Sequence, residues 1–144
     1  MRNIIAFVLM LSAVFVNAQK LIPFEDSNGK YGYKDEKGKV VIAGKYDEVM
    51  EFTEGLAGVS INKKYGFIDI TGKEVVPFIY DGGMGFHEGL ACVQKNGKSG
   101  FINKTGQMVI PFVYEGLSYF KNGKAEVFKD GKAIVINKKG VKVG

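Results

Sequence analysis

The chain repeats itself every 34 residues, and this periodicity constrains its fold more than any other feature. Gly38, Gly72, Gly106 and Gly140 fall in register, as do Gly55, Gly89 and Gly123. So do Tyr46, Tyr80 and Tyr114, and then Phe52, Phe86 and Phe120. Ala57, Ala91 and Ala125 follow, with Val59, Val93 and Val127 two residues on. Asp47, Asp81 and Glu115 keep one position acidic. A unit this short cannot enclose a core of its own. Stability must come from neighbouring units packing on each other, and the end units should be the weakest.

A 34-residue period also suits helical arrays. The local chemistry points to strands instead, because short β-branched and aromatic runs alternate with two turn signals per unit and no amphipathic helical stripe develops. The first turn is Asn28-Gly29, Asn62-Lys63, Asn96-Gly97 and Asp130-Gly131, the chemistry of tight type I′ hairpins. Asn62-Lys63 lacks the glycine. The second turn opens on Asp35, Asp69, Asn103 or Asn137 and closes on Gly38, Gly72, Gly106 or Gly140.

Strand one is expected at residues 21–25, 56–61, 90–95 and 124–129. Strand two is expected at 31–34, 65–68, 99–102 and 133–136, and strand three at 39–42, 74–77, 108–111 and 141–143. The expected fold is therefore all-β: four three-stranded antiparallel meanders in an open β-repeat array, with a closed propeller-like ring as the alternative. The units run at about 21–54, 55–88, 89–122 and 123–144. Pro77 and Pro111 should end strand three or lie at a sheet edge, because proline cannot donate to a ladder. Alternation puts Ala57 with Val59, and their equivalents, on a packed face. Gly58, Ser60, Cys92, Gln94, Glu126 and Phe128 fall on a wetter one.

The N-terminus carries an address. Arg2 precedes an apolar run from Ile4 to Val16, and Val16-Asn17-Ala18 offers small residues at a cleavage boundary. The pattern is that of a secretory signal peptide at 1–18, cut between Ala18 and Gln19, leaving a single domain at 19–144. The apolar run is too short for a transmembrane anchor, and export makes the expected location periplasmic or secreted. A new N-terminal Gln19 can cyclise with loss of ammonia, removing the terminal charge. With one Cys and one His in 144 residues, neither a disulfide framework nor a multi-His metal centre can form within the chain.

The order and spacing of these landmarks resemble the WG repeat family of bacterial β-rich proteins, over about residue 21 to the end. In that family each copy opens on Trp-Gly, runs through a Gly-Lys turn to a Pro, and passes Tyr-[DE] before F-x-x-G-x-A-x-V. This chain has no Trp. The opening pair stands here as Tyr31-Gly32, Tyr65-Gly66 and Ser99-Gly100, then decays to Ala133-Ile134. The resemblance implies an antiparallel β-repeat array with no assigned catalytic residue, read as an interaction module.

Chemistry has little raw material. The repeated pairs Tyr46-Asp47, Tyr80-Asp81 and Tyr114-Glu115 are the candidate ligand contacts, for a sugar or peptide, or for acid–base work in a polymer hydrolase. A group repeated in every unit is more simply set by the unit's own turns, whereas a catalytic site is normally built once. The three Phe positions read as core between units. His87 sits at a connector position held by Thr53 and Lys121 elsewhere, and reads as an exposed side chain. Cys92 reads as half-buried on the outer face, or as a thiol free to pair with a second chain. The Asx-to-Gly loops carry too few carboxylates for calcium, and no phosphate loop opens a helix. The net charge is +5, and Lys30, Lys63, Lys64, Lys98, Lys132, Lys138 and Lys139 fall at hairpin tips, where they discourage edge pairing. The expectation is a monomeric, non-enzymatic module without cofactor, metal or nucleic acid, bound to a protein or polysaccharide of the cell envelope.

Overall fold

A computed structural model describes residues 19–144, so the expected leader at 1–18 lies outside the described residues. The described chain is all strand and turn. Strands β1 (Ile22–Glu25), β2 (Tyr31–Lys34) and β3 (Val40–Tyr46) form the first antiparallel sheet. The second holds β4 (Glu48–Val49), β5 (Leu56–Ile61), β6 (Lys64–Asp69) and β7 (Glu74–Tyr80). The third repeats that plan with β8 (Gly82–Gly83), β9 (Leu90–Lys95), β10 (Lys98–Asn103) and β11 (Met108–Tyr114). The last is the hairpin β12 (Lys124–Lys129) and β13 (Lys132–Asn137). The sheets follow one another in series and none closes on itself, which decides for the open array.

The four sheets have three, four, four and two strands, rather than three each. Two causes account for the difference. In the interior units the connector runs back along the next sheet, so Glu48-Val49 pairs with Val59 and Ser60, and Gly82-Gly83 with Val93 and Gln94. In the last unit, the expected strand at 141–143 is reduced to an isolated bridge between Ile136 and Lys142.

A bulge explains both the length of strand three and the glycine of the opening pair. Tyr65 pairs with Tyr80 and Phe67 with Val76, so Gly66 alone faces Pro77, Phe78 and Ile79. Gly100 faces residues 111–113 in the same way. A Cβ on Gly66 would lie 2.5 Å from the Val76 carbonyl oxygen, and one on Gly100 2.6 Å from that of Ile110. The glycine is thus required by a close backbone approach. Strand three does not end at proline; it passes through Pro77 and Pro111 as an edge strand, and the prolines sit in the bulge. In the last unit Ile134 occupies the glycine position, and a side chain there blocks the same approach.

The first hairpin also differs from expectation. Asn96-Gly97 and Asp130-Gly131 are two-residue loops with both φ values positive, and Asn62-Lys63 adopts the same form at +51° and +65°. At Asn28-Gly29 only the glycine is left-handed. Asp26 accepts hydrogen bonds from the Asn28 and Lys30 amides at 2.8 and 2.9 Å. This copies the second-turn loop, in which Asp35 accepts from Lys37 and Lys39. An Asx side chain two residues before the Asn-Gly pair captures the backbone in the longer loop.

The core lies between units. Ala57, Val59 and Ile68 pack backward on Tyr33, Ile42 and Tyr46. Ala91, Val93 and Ile102 pack on Phe67, Val76 and Phe86, and Ala125, Val127 and Ile136 on Cys92, Phe101 and Phe120. On the other face of strand one, Gly58, Ser60 and Cys92 are therefore buried in the interior units, Cys92 against Ala125 and Val127 of the next unit, while Gln94 is half-buried. Only in the last unit do Glu126 and Phe128 reach solvent.

Candidate functional site

The repeated Tyr-[DE] positions divide into two environments. The tyrosines belong to the core: Tyr46, Tyr80 and Tyr114 are 2%, 5% and 7% exposed. The Tyr46 ring stacks on Phe78 of the next unit at 6.4 Å, and Tyr80 on Phe112 at 6.2 Å. Burial raises the hydroxyl pKa of Tyr46, with the nearby Glu74 carboxylate adding to it, and burial alone raises that of Tyr80. These rings are aimed at neighbouring units, leaving the carboxylates that follow them as the surface groups.

Those carboxylates form a ridge along the array. Asp47 pairs with the Lys30 ammonium and accepts the Asn62 amide at 2.7 Å. Asp81 pairs with Lys64 and accepts the Asn96 amide at 3.0 Å. Each aspartate thus joins a lysine of one unit to the tight hairpin of the next. Lysine hydrogen bonding first, and the turn amide second, hold both carboxyls below the usual aspartate range. Glu115 keeps the ion pair more loosely, with Lys98 at 3.9 Å. Three of the lysines read from sequence as hairpin-tip charges are therefore partners of the acidic row. Beside the ridge, a cleft of about 540 Å³ opens between Asp47, Ser60, Asn62, Tyr65 and Asp81.

A second inter-unit contact went unread in the sequence. Glu54-Gly55, Glu88-Gly89 and Asn122-Gly123 are further two-residue turns with both φ values positive. The Glu54 side chain accepts the Gly89 amide at 2.9 Å and pairs with Lys104 at 3.3 Å; Glu88 accepts the Gly123 amide at 2.8 Å. Burial pushes the Glu54 pKa up, but the Gly89 amide and Lys104 outweigh it and the net shift is downward. The signal was present as Glu before Gly at a 34-residue spacing.

The Phe reading is met by the packing. Phe52, Phe86 and Phe120 lie edge-on against Tyr33, Phe67 and Phe101 at 4.7–4.9 Å, and Phe86 is fully buried. His87 is half-buried, not exposed, with its ring 5.2 Å from that of Tyr119. Cys92 corrects the sequence reading. It is 2% exposed, burial raises its thiol pKa, and it faces the inter-unit core rather than a second chain. Among the described residues no group of three or more His, Cys, Asp or Glu is placed to hold a metal ion. No described helix is long and apolar enough to cross a membrane.

The landmarks that carry this geometry are the bulge glycine, the Asx loop and the Tyr-[DE] ridge. A family model described as WG containing repeat matches them at residues 31–65, 65–98 and 100–132. The chain belongs to the WG-containing repeat family. The first two matched repeats begin at the opening pair and the third at its glycine, Gly100, one strand later than the meanders counted from residue 21, so three WG repeats overlie four sheets. No curated protein and no solved structure matches the chain.

Proposed function

We propose that this WG-repeat chain is an exported, non-catalytic binding or scaffold module for a protein or extended polymer at the cell envelope. The observation that supports the reading is the periodic ridge. The lysine–carboxylate pairs at Asp47, Asp81 and Glu115 recur in each of the first three units, so a partner with its own repeat can meet equivalent contacts along the array. The ridge carboxylates are engaged by lysine, and Asp47 and Asp81 also by turn amides, which suits recognition better than proton transfer.

The cleft between Asp47, Tyr65 and Asp81 favours one competing reading, a glycan-binding module or a hydrolase of envelope polymers. Binding assays of the mature protein against purified envelope polysaccharides and envelope proteins test the first reading. Binding should weaken on charge reversal at Lys64 and Asp81 without loss of fold. Turnover of any envelope polymer that disappears in Asp81→Asn or Glu115→Gln would replace it with the hydrolase. Export is checked by the intact mass of protein recovered outside the cytoplasm. The proposed species begins at Gln19 and has lost ammonia; a mass retaining residues 1–18 refutes the address.

A further inference from the structure

Three Asn-Gly pairs lie in described turns: Asn28-Gly29, Asn96-Gly97 and Asn122-Gly123. We propose that Asn96 is a site of spontaneous deamidation, and that hydrogen bonds on the glycine amide shield Asn28 and Asn122. The reaction needs the backbone nitrogen of the glycine as nucleophile. That nitrogen loses its proton and attacks the asparagine Cγ. The new N–Cγ bond forms a five-membered imide, and the Cγ–Nδ2 bond breaks with release of ammonia. Water then opens the imide at either carbonyl, giving aspartate or isoaspartate.

The three nucleophiles are held differently. Gly29 donates its N–H to the Asp26 carbonyl at 3.1 Å. Gly123 donates to the Glu88 carboxylate at 2.8 Å, so removing its proton would set an amide anion against a carboxylate. Gly97 N–H has no hydrogen-bond partner among the described residues. Both Asn96 and Gly97 are exposed. Asp130-Gly131 shares the tight turn, but an ionised carboxylate is a much poorer electrophile than an amide.

The product falls on the ridge. Asn96 already donates its own amide to Asp81 at 3.0 Å, so either product puts a second carboxylate beside that one. Isoaspartate also adds one carbon to the backbone of a two-residue loop. The pairing of Lys95 with Lys98 that this loop sets cannot then be kept unchanged.

The experiment is incubation of the folded protein in water labelled with heavy oxygen, at neutral and mildly alkaline pH, with peptide mapping by mass spectrometry. The Asn96 peptide should convert several-fold faster than those of Asn28 and Asn122, and faster at the higher pH. Glu88→Ala should raise the Asn122 rate while leaving Asn28 unchanged. Glu54→Ala loosens a comparable contact but uncovers no Asn-Gly pair, and should raise none of the three. Equal rates at all three sites, no conversion at Asn96, or an Asn122 rate indifferent to Glu88→Ala overturns the proposal.

Discussion

At the residue scale, the clearest link from sequence to structure is the glycine of the opening pair. Gly66 was legible as a landmark, but its reason was not, because the bulge that presses the Val76 carbonyl against it depends on the path of a different strand. Gly66→Ala should therefore cost about 1–3 kcal/mol through overpacking against backbone, measured by denaturant unfolding. The acidic row shows the same limit. Sequence identified Asp47 and Asp81 as repeated acids, yet their partners Lys30 and Lys64 lie 17 positions earlier, across a unit, and only folding brings them together. Both carboxyls titrate below their unfolded value, so their contribution is fully present above about pH 4 and fades as pH falls through the lowered folded values. Asp81→Asn should accordingly lose part of the Tm difference between neutral and strongly acidic buffer, and added salt should shrink that difference in the parent protein.

At the element scale, the hairpins carry most of what local sequence could say. Three of the four first turns follow from their dipeptides, and the fourth departs because Asp26 offers its side chain to the backbone. Lys63 holds φ at +65°, a region that penalises any residue with a Cβ. Lys63→Gly should therefore stabilise the protein by about 1 kcal/mol, read as a rise in the unfolding midpoint with an unchanged slope. Phe86 packs edge-on against Phe67 in the core between the second and third sheets. Phe86→Ala should cost about 3 kcal/mol, whereas His87→Ala removes only a half-buried ring and should cost well under half of that; similar losses would place His87 in the core. The short strands β4 and β8 were not legible, because two residues of connector carry no periodic pattern.

At the scale of the whole molecule, four sheets are held in series by four kinds of contact: the Ala-Val faces, the stacked tyrosines, the Asp47 and Asp81 bonds to the next tight hairpin, and the Glu54 and Glu88 bonds to the next turn. The repeat period and the all-β class were legible because each is written three or four times in the chain, whereas the choice between open array and closed ring was not, because the same repeats serve either. The two-sided burial of the interior sheets was not, because alternation within one strand cannot say what stands opposite each face. The end units follow from that burial. Among the described residues no sheet packs on the outer face of the last unit, which carries Glu126 where Gly58 and Cys92 are buried and Asn122 where glutamate reaches forward. Glu88→Ala should thus loosen the last hairpin more than the first sheet. Native-state hydrogen exchange resolved by residue tests the central claim, an open stack whose stability resides between units. The slowest exchange is expected in β5, β6, β9 and β10, with β1 and β13 opening at much lower free energy. Uniform protection across all four sheets, lost in a single step, would contradict it.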